Sequence, residues 1–283
     1  MTTVALVTCR TRPQLPSTPL VREALARRGC SSVEVAWDEP SFDWDGVAAS
    51  VLVSAWDYGD HPEAFQGWLR RVPRLLNPAP VVRWAMHRGC QKALEARGVA
   101  LVPTVWLTRG QPVPSLTRLL EAEGWAEAVL RPAVAGAATR TIRFSRAGGE
   151  SAQAALERQL ARGDCLLQRY LGAVETAQER SLVFVDGAFS HAVRRVPQLA
   201  TGRHAGTIAR AEEEELWVAK LALSAVESPL LYAQVDVLRD DDGEVRLLDL
   251  ELVAPVLFLE QHPPAVEVYA NAVARHALAY TGA

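Results

Sequence analysis

Two apolar runs near the end of the chain carry three acidic residues at strand spacing. Asp236 lies in the first run, and Asp249 and Glu251 lie in the second, with a turn-forming Asp242-Gly243 pair between the runs. Successive side chains of a strand alternate between its faces, so Asp249 and Glu251 point the same way. If the two runs pair as a hairpin, Asp236 can lie across from them on that face. The pattern therefore favours a sheet with three carboxylates on one side.

Two environments suit such a cluster, and the spacing alone leaves both open. Carboxylates that are buried together repel each other and lose their hydration, and a bound cation removes most of that cost. Magnesium prefers oxygen ligands and usually carries nucleotide phosphates as well, so it is the natural candidate. The alternative is an antiparallel sheet with one solvated face, on which alternating acids need no cation.

The first hundred residues predict a parallel sheet covered by helices. Short apolar runs alternate there with segments of helical spacing, which is the order of a strand–helix–strand unit. Further along, one continuous helix is expected over residues 84–97, with Gly98 as its stop. Strands are expected in this region at residues 4–8, 33–36 and 47–55, and helices at 20–28 and 62–71.

The second half changes to an antiparallel pattern. Turn signals at Asp186-Gly187 and Asp242-Gly243 separate apolar runs that alternate with polar residues. The fold class is therefore α/β in front and α+β behind. Strands are expected at residues 165–168, 180–185, 188–195, 231–238 and 245–252, and helices at 212–225 and 265–280.

Composition excludes several classes of protein. The 283 residues correspond to about two domains, and 49% apolar with 22% charged residues is typical of a globular chain. A net charge of −3 argues against a general nucleic-acid binder. Four cysteines without a Cys-x-x-Cys spacing argue against a zinc site, and no apolar stretch of ~20 residues suits a bilayer. We therefore expect a cytoplasmic protein without a membrane or nucleic-acid partner.

A second candidate site follows an expected strand that ends near Arg131. The next residues, from Ala135 through Gly136 to Thr139, are small and would allow the backbone to approach an anion closely. Neither the Walker pattern nor Gly-x-Gly-x-x-Gly is present, and a simple flexible hairpin is the alternative. A Gly-x-Ser-x-Gly elbow is also missing, which argues against hydrolysis by a serine nucleophile.

A set of short motifs follows in a fixed order along nearly the whole chain. They are Trp56-Asp-Tyr58, Leu76-Asn-Pro78, Arg83-Trp84, Val102-Pro-Thr104, Arg131-Pro-Ala-Val134, Ser181-Leu-Val-Phe-Val-Asp-Gly187, Phe189-Ser-His-Ala-Val193, Leu231-Tyr-Ala-Gln-Val-Asp236 and Asp249-Leu-Glu-Leu-Val-Ala-Pro255. In this order they resemble the ATP-grasp superfamily, and within it the branch that contains cycloserine synthetase.

The resemblance implies an ATP-grasp fold in three parts. An N-terminal α/β part with a parallel sheet, residues 1–90, would help to bind substrate. Two α+β parts, residues 91–172 and 173–283, would hold ATP between antiparallel sheets. Enzymes of this superfamily use ATP and Mg²⁺ to activate a carboxylate as an acylphosphate, which an amine then attacks to form a C–N bond. Small amino-acid-like carboxylate and amine substrates and a homodimer are implied in the same way.

The resemblance also implies roles for particular residues. Asp236, Asp249 and Glu251 would be the magnesium ligands, which weakens the alternative of a solvated face. Arg195 and Arg203 would act in catalysis, Arg203 on the acylphosphate. The residues that would hold ATP are Arg88, Arg131, Ala135, Gly136, Thr139, Glu179 and a hinge that touches adenine through backbone groups, with Gln168, Tyr170 and Leu171. The residues expected on the substrate side are Trp56, Asp57, Tyr58, Ser190 and His191.

The chain departs from the branch mainly in its cations. Arg88, Arg131 and Arg195 stand where the branch carries lysine, and arginine keeps the charge but has a different shape. Val53 and Gln234 stand where the branch carries arginine, so an anionic group of the branch's own substrate would lose its partners. A different substrate is therefore expected. The alternative is a catalytically impaired homologue that serves as a binding or scaffold partner.

Overall fold

A four-stranded parallel sheet forms the core of the amino-terminal part, in the strand order β2-β1-β3-β4. The structure is a computed structural model that describes residues 2–10, 15–134, 141–176, 179–195 and 206–281. Val4 to Val7 of the inner strand are fully buried, because the sheet is covered on both faces. The strands are β1 (Thr2–Thr8), β2 (Cys30–Ala36), β3 (Ala49–Leu52) and β4 (Leu75–Leu76).

Helices from both ends of the chain cover this sheet. One face packs against α1 (Ser17–Ala26) and against the carboxy-terminal helix (Pro263–Thr281). The other face packs against α2 (Pro62–Leu69). No helix within the described ranges is both long and apolar enough to cross a membrane. The last helix is thus part of the first hydrophobic core.

The prediction of one continuous helix over residues 84–97 is wrong, because the chain breaks there. Gly98, with a φ of +86°, ends the segment as expected. The pieces are α3 (Ala79–Ala85), a 3₁₀ turn (Arg88–Cys90) and α4 (Gln91–Glu95).

Contacts with a distant strand cause the break. His87 has extended backbone angles, and its Nδ1 accepts a 2.9 Å hydrogen bond from the Gly89 N–H. The Arg88 N–H donates to the carbonyl of Ala133 at 2.8 Å, instead of to a carbonyl one turn back in a helix. The break brings Arg88 beside the sheet strands that follow.

The middle part is a four-stranded antiparallel sheet with the order β5-β8-β6-β7. One of its faces packs against α5 (Leu116–Ala122) and α6 (Gly149–Leu160). Thr104, Gln168 and Arg131 lie on the other face, since side chains alternate along each strand. The strands are β5 (Thr104–Leu107), β6 (Glu127–Pro132), β7 (Ile142–Ser145) and β8 (Cys165–Arg169).

The last part is a five-stranded antiparallel sheet with the order β11-β10-β9-β12-β13. Helix α7 (Glu213–Ser224) covers one of its faces. The opposite face meets the core of the first part at one end, where Tyr232 is buried. The parallel front and antiparallel back expected from the sequence are confirmed. The strands are β9 (Arg180–Val185), β10 (Ala188–Arg195), β11 (Gly206–Ala209), β12 (Tyr232–Arg239) and β13 (Val245–Glu251).

Candidate active site

A β-bulge in β13 brings the three predicted carboxylates to one face of the large sheet. The register of the hairpin shifts at Leu248, and beyond the shift Asp236 pairs directly with Asp249. A slip of one residue moves side chains to the other face, so without the bulge Asp249 would point toward α7. Instead Asp236, Asp249 and Glu251 share the face opposite α7, which we call the site face.

A second bulge, at Ser190 in β10, changes the phase of another strand in the same way. The register with β9 shifts between Phe189 and His191, so His191 and Arg195 point to the site face. Residues that pair directly across the strands then form two rows on this face. One row contains His191, Val183, Gln234 and Glu251, and the next contains Val193, Ser181, Asp236 and Asp249.

Asp249 lies at the centre of the site and is held by two arginines. The residue is 6% exposed. Its Oδ2 accepts hydrogen bonds from Arg131 Nη2 at 2.6 Å and from Arg88 Nε and Nη2 at 3.2 Å each, and Oδ1 accepts one from Gln91 Nε2 at 3.0 Å. Burial acts to raise the pKa of Asp249, but the two guanidiniums outweigh it and hold the pKa below its usual value. Asp249 is therefore ionised and fixes both arginines on the site face.

Glu251 has much weaker compensation. Within the described residues, its one ion pair spans 3.7 Å, to Arg88 Nη2. Burial and the neighbouring charge of Asp249 raise the pKa of Glu251 to about 7. With Asp249, Arg88, Tyr58 and Cys90, it lines a cavity of about 10 Å³, enough for one water molecule or one ion.

The donors at this cavity suit magnesium carried with a nucleotide. Mg²⁺ is usually bound by one or two carboxylates together with phosphates and water, and seldom by a full protein cage. Asp249 and Glu251 supply two carboxylates, and the raised pKa of Glu251 shows that the neighbouring residues compensate its ionised form only weakly, whereas a bound cation would compensate it. Accordingly, no group of three His, Cys, Asp or Glu side chains among the described residues forms a metal site by itself.

Asp236 is engaged by a different set of donors. Ser181 Oγ donates to its Oδ1 at 2.6 Å, and Gln234 Nε2 donates to its two oxygens at 2.8 and 3.0 Å. Arg195 Nη1 bridges Asp236 Oδ2 at 3.1 Å and Glu179 Oε1 at 2.9 Å. Burial raises the pKa of Asp236 in spite of these partners. As a magnesium ligand, Asp236 would have to exchange some of them.

Gln168 contacts Arg131 through its side chain. Its Oε1 accepts a 2.8 Å hydrogen bond from Arg131 Nη1, and its Nε2 donates to Thr104 Oγ1 at 3.3 Å. The Thr104 hydroxyl donates in turn to the Val102 carbonyl at 2.7 Å, which fixes the direction of the whole chain of hydrogen bonds. Gln168 therefore orients Arg131 through its side chain, and its predicted backbone contact with adenine stays a prediction.

Tyr170 and Leu171, the rest of the predicted hinge, follow β8. The Tyr170 N–H donates to the Glu127 carbonyl at 3.1 Å, and the guanidinium of Arg143 lies 3.6 Å from the centre of its ring. Leu171 is buried in a small apolar cluster that reaches the bulge of β13. The other buried members of this cluster are Val102 and Leu238, and Ala173, Val174 and Leu248 pack against them.

Only one residue of the Trp56-Asp57-Tyr58 segment lines the cavity. Trp56 Nε1 donates to the Ala254 carbonyl at 2.8 Å, and Asp57 Oδ1 accepts from the indole of Trp37 at 2.7 Å. Both residues therefore connect segments of the chain that are distant in sequence. Tyr58 is 5% exposed and lies beside Glu251. Burial and the Glu251 charge raise the pKa of Tyr58, which keeps its hydroxyl protonated.

Ser190 and His191 form a hydrogen-bonded pair at the bulge of β10. His191 Nε2 lies 3.0 Å from the Leu257 carbonyl, so this nitrogen carries the proton, and Nδ1 accepts from the Ser190 hydroxyl at 3.0 Å. Burial and the neighbouring His262 lower the pKa of His191 to about 4. The ring is therefore neutral near pH 7, and Ser190 Oγ keeps a lone pair for a further donor.

Four predicted site residues lie outside the described residues. They are Ala135, Gly136 and Thr139 of the predicted phosphate loop, and Arg203. Their roles stay predictions.

Sequence analysis did not single out Gln91 and Cys90 as site residues. Gln91 is 1% exposed and donates to Asp249, whereas Cys90 lines the cavity with a pKa raised to about 12 by burial and then by Asp249. Their position beside the site depends on the break between α3 and α4. The one signal in the sequence was their place two and three positions after a predicted phosphate-binding residue, Arg88.

Comparison with known proteins gives consistent matches along the chain. A family model described as the N-terminal domain of D-cycloserine synthetase DcsG matches residues 4–77. The cycloserine biosynthesis protein DcsG of Streptomyces lavendulae is 30% identical over 275 residues, which are 90% of this chain and 92% of that protein. The crystal structure of D-cycloserine synthetase DcsG superposes with a TM-score of 0.88 at 29% identity and covers 97% of this chain and 99% of that one.

Two other solved structures are similar at lower identity. A RimK domain ATP-grasp protein from Sphaerobacter thermophilus gives a TM-score of 0.71 at 16% identity, over 98% of this chain and 99% of that one. The D-alanine–D-alanine ligase of Bacillus anthracis, complexed with ATP, gives 0.71 at 13% identity, over 100% and 99%. At these identities the two matches bear on the fold alone.

Proposed function

The chain belongs to the D-cycloserine synthetase family of ATP-grasp ligases, and from this premise we propose that it joins an amine to the carboxylate of a small amino-acid-like substrate through an acylphosphate. The observation that carries the proposal is the junction of Arg88, Arg131, Asp249 and Glu251 on the site face. It combines cations suited to phosphate with carboxylates suited to Mg²⁺. An ATP-dependent ligase that forms C–N bonds needs both beside the phosphoryl group that it transfers.

The adenine ring would lie near the apolar cluster of Val102, Leu171 and Leu238, against which Leu248 packs. Its members Leu171 and Leu238 are 2% exposed, and Leu248 directly precedes the central carboxylate. An apolar cluster beside a charged junction suits a nucleotide, whose base is apolar on its faces and whose phosphates are anionic. The cluster also supports the predicted hinge, because Leu171 belongs to both.

Asp249 and Glu251 would hold Mg²⁺, which when bound supplies charge neutralisation for the phosphates. Arg88 and Arg131 would exchange their contacts with Asp249 for contacts with phosphate oxygens. Each arginine then keeps an anionic partner, so the exchange leaves no buried guanidinium uncompensated. Because arginine binds phosphate through two parallel N–H donors, replacement of lysine at these positions is compatible with nucleotide binding.

The proposed reaction consists of two group transfers. A carboxylate oxygen of the substrate attacks the terminal phosphorus of ATP, and ADP leaves. The amine nitrogen then attacks the acyl carbon, inorganic phosphate leaves, and the nitrogen loses a proton. Arg88 and Arg131 would stabilise the charge on the phosphoryl oxygens in both steps. Ser190 Oγ, whose proton points to His191, would accept a hydrogen bond from the amine.

The substrate would differ from that of the relatives at one end. Gln234 stands where the branch carries arginine, and its amide nitrogen is directed to Asp236. A neutral amide offers no ion pair to an anionic substrate group. We therefore expect a substrate that carries no negative charge toward Gln234. A homodimer and a cytoplasmic location stay predictions.

Release of ADP from ATP and Mg²⁺ tests the proposed function. Amino acids and their amide, hydroxamate and ureido derivatives are added singly and in pairs, and we expect ADP only with the matching set. Glu251→Gln should abolish the release while the protein stays folded. Thermal unfolding comes first, since Mg-ATP at 100 times its dissociation constant stabilises a fold by about 2.7 kcal/mol. Stabilisation without ADP release from any mixture would support the impaired homologue instead.

A further inference from the structure

Gln91 is a buried glutamine whose side chain serves the central carboxylate. It is the first residue of α4 and is 1% exposed. Its Nε2 donates to Asp249 Oδ1 at 3.0 Å and to the Leu248 carbonyl at 3.3 Å. One amide group therefore contacts both the bulge residue and the carboxylate that the bulge turns to the site face.

The bulge explains why such a contact is needed. An extra residue lies outside the regular ladder of hydrogen bonds, so the strand is locally less constrained. Leu248 is that residue, and the Gln91 amide gives its carbonyl a partner. The same nitrogen fixes one oxygen of Asp249 and leaves the other, Oδ2, to Arg88 and Arg131.

The orientation of the amide is determined by its neighbours. Gln91 Oε1 is buried and has no hydrogen-bond partner among the described residues. Rotating the amide by half a turn would set this oxygen against two other acceptors, the Leu248 carbonyl and Asp249 Oδ1. A buried oxygen without a partner lowers stability, so the fold retains the two donor contacts in spite of that cost.

We propose that Gln91 is a positioning residue, which orients the Asp249 carboxylate toward bound Mg-ATP and thereby determines the affinity for Mg-ATP. The inference rests on the proposed function. Residues that orient a metal ligand typically change metal affinity by 10–100-fold when they are replaced. The role differs from that of Arg88 and Arg131, because Gln91 carries no charge and contacts Asp249 Oδ1, whereas the two arginines contact Oδ2.

The test compares ATP binding by calorimetry, with Mg²⁺ and with EDTA, in the absence of other substrates. Gln91→Met keeps the length of the side chain and removes the donor. We expect Gln91→Met to weaken binding of Mg-ATP by about tenfold and to change binding of ATP in EDTA by less than about twofold. Gln91→Asn, which keeps an amide but is too short to reach both acceptors, should show the same selective loss and serves if Gln91→Met does not fold.

Gln153→Met is the matched control. Gln153 also bridges two backbone groups, accepting from the Leu116 N–H and donating to the Pro114 carbonyl at 3.0 Å each, but it lies on α6. The Gln153→Met variant should have a lower unfolding temperature but unchanged affinities for Mg-ATP and for ATP in EDTA. An unchanged affinity of Gln91→Met for Mg-ATP, or equal losses with Mg²⁺ and with EDTA, would overturn the inference. If the unaltered protein itself does not bind Mg-ATP, the proposed function fails and the inference fails with it.

Discussion

Replacing Asp249 by asparagine removes a carboxylate that Arg88 and Arg131 share. The side chains of Asp249, Arg88 and Arg131 are 8%, 14% and 15% exposed. Water can therefore solvate the two guanidiniums only weakly once the carboxylate is removed. Asparagine has nearly the same size, which keeps the packing and isolates the electrostatic effect. Arg131 would keep its hydrogen bond to Gln168, and Arg88 would keep its long ion pair with Glu251.

The size of the effect follows from burial. Removing one partner of a buried ion pair costs about 3–5 kcal/mol, because the other charge is left in a medium of low dielectric. The remaining partners of both arginines place the expected loss for Asp249→Asn at the lower end, about 3 kcal/mol. At about 2–4 °C per kcal/mol for a chain of this size, the unfolding temperature should fall by about 6–12 °C.

Asp241→Asn provides a control with the same contact distance and different burial. Asp241 Oδ2 lies 2.6 Å from Arg169 Nη2, the same distance as Asp249 Oδ2 from Arg131 Nη2. The side chains of Asp241 and Arg169, however, are 56% and 36% exposed. A surface pair contributes at most about 1 kcal/mol. Both variants are unfolded by heat and by urea in EDTA, without nucleotide. Equal losses of stability in the two variants would refute the argument from burial.

The stability of the metal-free protein should depend on pH in opposite directions through Glu251 and His191. Separately, the hydrogen bond between Gln168 and Arg131 should affect KM for ATP. The pKa of Glu251 is raised from 4.5 to about 7, so the folded state binds the extra proton and stability should fall as the pH rises across that range. Urea unfolding in EDTA measures the slope, and Glu251→Gln should flatten it; an unchanged slope would contradict this assignment. The pKa of His191 is lowered from 6.5 to about 4, so stability should fall as the pH drops through that range, and its NMR signals should not titrate near pH 7. A midpoint near 6.5 would rule out the buried neutral ring. Gln168→Leu removes the acceptor of Arg131 Nη1 and should raise KM for ATP about tenfold, the effect of one hydrogen bond to a charged group; an unchanged KM would show that Arg131 needs no such support.

The acidic residues of the site could be identified from the sequence, but the face of the sheet to which each of them points could not. Asp249 and Glu251 are two residues apart, so their common face follows from the alternation of side chains alone. Whether Asp236 shares that face depends on the bulge at Leu248, and nothing in the sequence marks that leucine as an extra residue. The resemblance grouped the three acids as magnesium ligands without reference to the bulge, and that role stays a prediction.

Contacts between distant segments explain what the sequence did not predict. The pattern of residues 84–97 is that of one helix, yet the hydrogen bond from the Arg88 N–H to Ala133 breaks it. Trp56 and Asp57 follow a buried strand, where binding residues are common, but their polar atoms contact the Ala254 carbonyl and the Trp37 indole. Local spacing contains no information about these partners.

The carboxy-terminal helix has a consequence for how the chain folds during synthesis. It covers the face of β1 that carries Val4 and Leu6, and Glu267 on this helix accepts hydrogen bonds from Arg28, 239 positions earlier. A nascent chain therefore leaves the part of this face that α1 does not cover exposed on the ribosome until the helix has emerged. Contacts this far apart in sequence form late, and the exposed surface invites aggregation or chaperone binding in the interval. The amino-terminal sheet is thus expected to complete its fold only together with the rest of the enzyme.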